Sequence, residues 1–472
     1  MSDRQYLRAA HLHQPDGWLS PGFLEIDGDG TISQVTATMP AEWDATEVQR
    51  LDGYVLPGML NLHSHAHQRG LAGRAEGGSG ATEAENFWSW RERMYAFLLS
   101  LTPDDFEAIA AQLYLEMLRA GFTTVGEFHY LHHDRDGGYY ADPHEMSARL
   151  LAAADQTGIA LTMLPSLYTH AGIGRPATPE QRRFVHRSVD DFLALFEWLR
   201  TEMPNRPLLR VGVAPHSLRA VSGEELSAVV ASVSGLPDVP IHLHVAEQTG
   251  EVEEIVTRLG TTPASWLFAN QPVNDRWTFI HATHCTLDEL RELAGRGAVV
   301  GLCPTTEGNL GDGLFQLRDY AAAGGRWGIG TDANLQPDPG LELRFLEYGQ
   351  RLFSQRRSIL VEPGATTAQP GRRLHDLALA GGAQALAQPA AALTAGRRAD
   401  LVELDPDHPA IVAQQPASVL DGWLVAGSRE LVRTVLVGGT WLVRDGHHQH
   451  EETITDRYRA VMRRLAGAAL SS

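Results

Sequence analysis

The chain has 472 residues, of which 43% are hydrophobic and 21% are charged. This is the composition of an ordinary folded protein with a large core, and it excludes collagen, coiled coil and global disorder. A formal net charge of −19 argues against nonspecific binding to nucleic acid or to an anionic membrane. An acidic small molecule would need a local group of arginines to bind such a protein.

The two cysteines, Cys285 and Cys303, are too few for a disulfide framework or a thiolate zinc site. This usage is typical of a reducing cytoplasm. The first residues lack the basic and then apolar layout of a secretion signal, and no apolar run approaches the roughly 18 residues of a membrane span. We therefore expect a cytoplasmic protein with no membrane partner.

The N-terminal segment, residues 1–56, is predicted to form short strands. Two alternating runs, 23–26 and 31–35, flank an Asp-Gly turn at Asp27 and Gly28, which is typical of a hairpin.

The middle of the chain, from about residue 59 to 335, alternates short apolar runs with amphipathic helical segments. Eight apolar runs lie at 60–65, 123–128, 160–168, 209–216, 241–247, 278–284, 298–304 and 327–332. Predicted helices between them include 103–120, 178–203, 223–234, 249–259 and 287–294. Eight such units predict a closed (β/α)8 barrel. The alternative, an open doubly wound sheet, predicts a glycine-rich phosphate loop after the first strand, and the sequence has none.

The C-terminal segment returns to a helix, at 374–387, and then to strands that a closed barrel cannot accept. We therefore predict an α/β protein, a TIM-like barrel with a small β-sandwich domain built from both chain ends. The predicted boundaries are 1–56 plus 365–450 for the composite domain, 57–364 for the barrel and 451–472 for a terminal helix.

Metal-type ligands lie at the carboxyl ends of four predicted strands, where barrel active sites form. They are His63 with His65, His242 with His244, His281, and Asp332. Residues i and i+2 of a strand face the same side, so His63 and His65 can share one ion. Three imidazoles and one carboxylate suit zinc, with one position left for water.

Each ligand also has a structural interpretation. His242 faces the same side as His244, so one of the two could serve packing, and Asp332 alone could cap a helix. The agreement of four separate strand ends favours a metal site, beside which a nearby carboxylate could move a proton to a leaving nitrogen.

The same residues carry a resemblance to a known family. Residues 56–65, 244–247, 281 and 332 resemble the metal signature of the amidohydrolase superfamily. Within it the chain resembles the formimidoylglutamate deiminases, in stretches 63–69, 87–91, 127–133, 216–220, 303–313 and 346–351. Two departures are His67, where an aromatic residue is expected, and Ala333-Asn334 after the last strand.

The resemblance implies one zinc per chain, bound by His63, His65, His244 and Asp332. It implies catalytic roles for Glu247, His281 and Asp332 in the hydrolysis of N-formimino-L-glutamate to N-formyl-L-glutamate and ammonia, a step of histidine degradation. Substrate-binding residues would be Gln68, Arg91, Tyr130, His216 and Arg219, of which the two arginines would hold the carboxylates. A homodimer is expected from the resemblance alone.

Two rival functions are considered. Another aminohydrolase of the same branch, acting on a purine, pyrimidine or related C=N compound, would share the metal site but would need aromatic stacking instead of two arginines. A non-catalytic barrel scaffold would be expected to lack ligands, and here the whole set is present.

Overall fold

A computed structural model describes residues 4–76, 87–361, 369–390 and 392–469 of the chain. Parts of all three predicted units lie outside the described residues: 1–3, 365–368 and 391 of the composite domain, 77–86 and 362–364 of the barrel, and 470–472 of the terminal helix. The side chains of residues 87 and 88, in one of the stretches that carry the resemblance, lie outside them as well.

Eight barrel strands follow the eight predicted apolar runs, with the fourth broken into two short pieces. They are β6 (Met59–Ser64), β7 (Phe122–His129), β8 (Ala160–Leu167), β11 (Leu209–Val211) with β12 (Ala214–Pro215), β13 (Ile241–Val245), β14 (Trp277–His281), β15 (Val299–Leu302) and β16 (Arg326–Ile329). All the pairings between them are parallel. Nearly every residue in these strands is buried, as expected for parallel strands covered by helices.

The barrel closes through two single bridges between its two parallel sheets. Val213 bridges Ile241 on one side, and Ser64 bridges Asp332 on the other. The second junction is reinforced by the Asp332 N–H, which donates to the His63 carbonyl, and by the His65 N–H, which donates to the Asp332 carbonyl. The predicted (β/α)8 barrel is confirmed, and the open doubly wound sheet is excluded.

The helices lie between the strands and along the C-terminal half of the chain. They are α1 (Phe87–Ser100), α2 (Pro103–Ala120), α3 (Glu145–Thr157), α4 (Val189–Glu202), α5 (Gly223–Ser232), α6 (Thr249–Leu259), α7 (Pro263–Asn270), α8 (Leu287–Gly295), α9 (Pro304–Leu310), α10 (Leu317–Ala322), α11 (Pro339–Ser354), α12 (Pro370–Ala385), α13 (Val419–Ala426) and α14 (Glu451–Ala469).

The helix predicted at 178–203 is too long at its start. Helix α4 begins at Val189, where the Ser188 side chain accepts the Asp191 N–H. Before it, Arg183 is fully buried, and its guanidinium donates to the carbonyls of His133 and Leu101. These contacts hold the segment in an irregular conformation that periodicity does not reveal.

The two chain ends form one nine-stranded sheet with its own apolar core. Its strands are β1 (Gln5–Gln14), β2 (Gly17–Leu19), β3 (Gly22–Ile26), β4 (Ile32–Thr36), β5 (Val48–Pro57), β17 (Leu401–Leu404), β18 (Val432–Val437), β19 (Thr440–Arg444) and β20 (His447–His448). Strand β17 pairs with β5, which joins the C-terminal strands to the N-terminal ones. A two-stranded hairpin, β9 (His170–Gly172) with β10 (Arg175–Pro176), lies apart from both sheets.

Helix α12 packs mainly against barrel strands, and its first turns also contact β1, where Arg372 donates to the Gln14 carbonyl at 2.7 Å. The Ala385 carbonyl lies 2.7 Å from His242 Nε2, and the Leu386 carbonyl accepts from the Thr162 hydroxyl at 2.9 Å. The strands of the C-terminal segment begin after this helix, at Leu401. The domain boundaries stay a prediction, and this packing favours placing α12 with the barrel.

No helix in the described part of the chain is long and apolar enough to cross a membrane.

Candidate metal centre and substrate pocket

Four side chains converge at one end of the barrel, from the end of β6, from β13 and from the loop after β16. His63 Nε2 lies 3.2 Å from His244 Nε2 and 3.6 Å from Asp332 Oδ1. His65 Nε2 lies 3.3 Å from the same carboxylate oxygen. All four side chains are buried, and one ligand atom from each of the three imidazoles lies within 4.8 Å of the others.

Backbone carbonyls orient two of these imidazoles. His65 Nδ1 lies 2.8 Å from the Phe128 carbonyl, and His244 Nδ1 lies 3.1 Å from the His216 carbonyl. A carbonyl only accepts, so each Nδ1 carries the proton and each Nε2 presents its lone pair. Burial lowers the pKa of His65 to about 3 and holds the pKa values of His63 and His244 well below the usual range.

The donor set fits a borderline divalent metal. Neutral imidazole nitrogens that lie this close to one another and to one carboxylate oxygen are stabilised by a cation that all of them can bind. The structure also separates the two histidines of β13. His242 bonds to a carbonyl of the segment beneath the barrel, whereas His244 points into the donor set.

Glu247 and His281 lie beside the donor set. Glu247 Oε1 is 3.8 Å from His281 Nε2, and Asp332 Oδ2 is 3.7 Å from the same nitrogen. Behind the ring, His281 Nδ1 lies 3.2 Å from Glu307 Oε1. The structure thus brings together the three residues expected to be catalytic.

The carboxylates around His281 change its proton affinity. Burial by itself lowers the pKa of this imidazole, but the charge of Glu247, the hydrogen bond with Glu307 and the charge of Asp332 raise it to about 10. Burial raises the pKa of Asp332 to about 7, although the His281 imidazole acts in the opposite direction. The pKa of the imidazole therefore lies above that of the neighbouring Asp332 carboxylate, so a proton shared by these two groups rests on His281.

The backbone at the ends of β13, β14 and β16 is strained. Ala246, His281 and Asp332 have φ angles of 52°, 68° and 43°, in the left-handed region that favours glycine. Such conformations cluster at functional sites. Here they end the strands and turn the following chain around the pocket.

The five residues expected to bind substrate line the same pocket as His65, His244, Glu247 and Asp332. Arg219 is almost completely buried, and its Nη2 lies 3.6 Å from Glu247 Oε2. The Arg91 guanidinium lies 5.6 Å from the centre of the Tyr95 ring. The pocket is therefore lined both by metal-type ligands and by two cations.

Gln68 and Tyr130 form a hydrogen-bonded pair in this pocket. Gln68 Nε2 donates to the Tyr130 hydroxyl at 3.0 Å, and His67 Nε2 lies 2.9 Å from the same hydroxyl. Gln68 Oε1 is buried and has no hydrogen-bond partner among the described residues. His67, one of the two departures from the resemblance, thus contacts a pocket residue.

Residues 54–442 match the family of amidohydrolases. The chain belongs to the amidohydrolase family. Members of this superfamily are metal-dependent hydrolases, and the clustered imidazoles of this amidohydrolase agree with that.

Individual relatives agree with the family. The amidohydrolase is 46% identical to a formimidoylglutamate deiminase of Pseudomonas aeruginosa, over 93% of this chain and 94% of the relative. Its fold matches the crystal structure of an amidohydrolase from Brucella melitensis with a TM-score of 0.91 and 42% identity, covering 98% of this chain and 100% of that one. An atrazine chlorohydrolase of Arthrobacter aurescens, solved in complex with zinc, shares the fold with a TM-score of 0.81 at 22% identity, over 97% and 99% of the two chains. The barrel fold and the resemblance are thereby confirmed.

Three buried glutamates of the site were missed by sequence reasoning. Glu127 accepts from the Ser64 hydroxyl and the Ala66 N–H, and burial raises its pKa to about 8. Glu307 accepts the Cys303 N–H as well as contacting His281, and Glu251 accepts backbone N–H groups beside Glu247. One signal was present: Glu127 is the one charged residue in an otherwise uncharged apolar run.

Proposed function

We propose that this amidohydrolase is a zinc-dependent deiminase that hydrolyses N-formimino-L-glutamate to N-formyl-L-glutamate and ammonia, a step of histidine degradation. One observation carries the proposal: a buried metal-type donor set and two arginines line a single pocket. A substrate with a hydrolysable C=N group and two carboxylates matches both the donor set and the two arginines. The 46% identity to a curated deiminase supports it.

We assign one zinc per chain to His63, His65, His244 and Asp332. The zinc complex of the related chlorohydrolase supports this choice of metal. When bound, zinc supplies Lewis acidity, which brings the pKa of a bound water near neutrality.

We assign the proton transfer to Glu247, with His281 and Asp332 assisting it. Addition of water to the formimino carbon forms a C–O bond, and loss of ammonia breaks the bond to the imine nitrogen. The nitrogen must gain protons that water loses. The Glu247 carboxylate, 3.8 Å from His281 Nε2, is placed to accept one and deliver it. His281, also beside Asp332, orients the attacking water.

Arg91 and Arg219 bind the two substrate carboxylates in this proposal. A guanidinium binds a carboxylate in bidentate fashion, and two of them provide local positive charge in a protein of net charge −19. Gln68, Tyr130 and His216 add neutral hydrogen bonds. Such a pocket is a poor match for an uncharged purine or pyrimidine, so this rival is not favoured.

Ammonia release from N-formimino-L-glutamate, guanine, cytosine and adenosine tests the proposal, with metal analysis of the same sample. We expect ammonia release from formiminoglutamate and from none of the other three compounds, with about one zinc per chain. Turnover of a nucleobase but not of formiminoglutamate would favour the rival. The homodimer and the cytoplasmic location stay predictions, and light scattering tests the first.

A further inference from the structure

Glu251 is a buried carboxylate in the first turn of α6 that the proposed mechanism does not use. Glu251 is 1% exposed. Glu251 Oε2 accepts the Glu247 N–H at 3.0 Å, and Oε1 accepts the Ala246 N–H at 3.3 Å. Both oxygens therefore bind the backbone of the segment that carries Glu247.

That segment needs such an anchor. Ala246 has a φ of 52°, a left-handed conformation that a residue other than glycine adopts only when its surroundings hold it. Both residues are buried, and among the described residues neither N–H donates to a backbone carbonyl. The Glu251 carboxylate satisfies both and fixes the direction in which the Glu247 side chain leaves the backbone.

Arg219 provides the counter-charge. Its Nη2 lies 3.9 Å from Glu251 Oε2 and 3.6 Å from Glu247 Oε2, so one guanidinium faces both carboxylates. Arg219 Nε is buried and has no hydrogen-bond partner among the described residues. The single positive charge of the guanidinium thus offsets part of the negative charge of the two carboxylates, while Nε stays available as a donor for another ligand.

We infer that Glu251 is a positioning residue, which holds Glu247 in the orientation needed for proton transfer by binding the Ala246 and Glu247 N–H groups. The inference rests on the proposed function, because it assigns Glu247 the proton transfer. Because Glu251 acts through Glu247, its replacement should lower turnover of every formimino substrate, with or without carboxylates.

Steady-state kinetics of Glu251→Ala and Glu251→Gln test this, with Glu253→Gln as the matched control because Glu253 lies exposed on the same helix. Each variant is assayed on N-formimino-L-glutamate and on a formimino derivative of a small amine without carboxylates. Misplacing a catalytic group lowers turnover by about 10–100-fold, and we expect that fall in kcat for Glu251→Ala on both compounds. Glu251→Gln keeps one acceptor oxygen, so its kcat should fall by only about 2–10-fold. Zinc content should be unchanged in all three.

The outcomes separate the inference from the proposed function. A wild-type enzyme inactive on formiminoglutamate would overturn both. An active wild type whose Glu251 variants match the Glu253→Gln control would overturn the inference alone. A loss confined to formiminoglutamate would overturn it too, because Glu251 would then act through Arg219. If Glu251→Ala fails to fold, equal losses in Glu251→Gln on both compounds support the inference, and no loss contradicts it.

Discussion

His63 Nε2 and His244 Nε2 lie 3.2 Å apart in a buried site. Because His244 Nδ1 donates to a carbonyl, its Nε2 carries a lone pair aimed at His63. Such an approach is stabilised by a cation bound to both nitrogens, and the carboxylate of Asp332 adds the negative charge that a divalent ion requires. At the scale of single residues, the donor set is therefore expected to lose its ion when any member is removed.

Replacing His63 or Asp332 by alanine should abolish zinc binding and ammonia release together. Elemental analysis after dialysis measures the first and a coupled ammonia assay the second. His447→Ala, at a side chain 78% exposed, is the control and should keep both. Two equivalents of zinc in the wild type would contradict the mononuclear assignment.

Glu247→Gln should keep zinc and lower kcat by about 10²–10⁴-fold, because an amide cannot carry the proton. The readouts are metal content and kcat from the ammonia assay. Loss of zinc in this variant would make Glu247 a ligand. An unchanged kcat would mean that His281 or Asp332 carries out the proton transfer instead.

Arg219→Met and Arg91→Met should each lower kcat/KM for formiminoglutamate while leaving zinc in place. A lost hydrogen bond to a charged group costs about 1.5–3 kcal/mol, or roughly 10–150-fold. Activity on a formimino compound without carboxylates should scarcely change, and Arg291→Met, at a side chain 64% exposed, is the control. Equal losses on both compounds would show that the arginines support the pocket instead of binding substrate.

At the scale of elements, side chains reinforce the junction at which β16 meets β6. The Asn61 amide donates to the Thr331 hydroxyl at 2.6 Å and accepts the Thr331 N–H at 3.1 Å. Asn334 Nδ2 donates to the carbonyls of His65 and Asp332 at 3.0 and 2.8 Å. Backbone pairing here amounts to one bridge, so these two amides tie together the strand ends that carry three proposed zinc ligands.

We expect Asn334→Ala to lower stability and to weaken zinc binding. Each buried polar group left without its partner costs about 1–3 kcal/mol. Urea unfolding measures the first effect and competition with a chelator the second. Asn270→Ala, at an exposed residue of α7, should change neither. Unchanged zinc affinity in Asn334→Ala would mean that the ligands do not depend on this junction.

At the scale of the molecule, one buried arginine joins the composite sheet to the barrel. Arg398 donates to both carboxylate oxygens of Asp400, to the Thr124 hydroxyl of β7 and to Gln388 Oε1. Asp400 Oδ1 in turn accepts the Gly438 N–H from the turn between β18 and β19. The ion pair is thus shared by a barrel strand and by strands from the chain end.

Arg398→Met should destabilise the whole protein, since it leaves the Asp400 carboxylate buried without its partner. Breaking a buried pair in this way costs about 3–5 kcal/mol. Thermal or urea unfolding measures it, and Arg429→Met, which breaks an exposed pair with Glu430, should cost less than about 1 kcal/mol. Equal stability of the two variants would show that the interface does not depend on Arg398.

Much of the fold and of the metal site could be predicted from the sequence, because both leave local patterns. A buried strand is a short apolar run, and seven of the predicted barrel runs each overlap one strand, while the run at 209–216 overlaps a broken one. The ligands stand where those runs end, and the i, i+2 spacing of His63 and His65 follows from the pleat of a strand. The order of units along the chain then implies a closed barrel.

Other features were decided only by the tertiary structure, because they depend on contacts between residues far apart in sequence. Asn61 and Thr331 are 270 positions apart in sequence, and Glu307 contacts His281, which is 26 positions away. Whether His242 or His244 points into the donor set was likewise decided by a distant contact, because the Ala385 carbonyl binds His242 Nε2. Local periodicity carries no information about which distant groups meet, since that depends on how the elements close and pack. The sequence alone therefore determined the ligand types and the barrel, whereas the tertiary structure decided which carboxylates and amides hold those ligands in place.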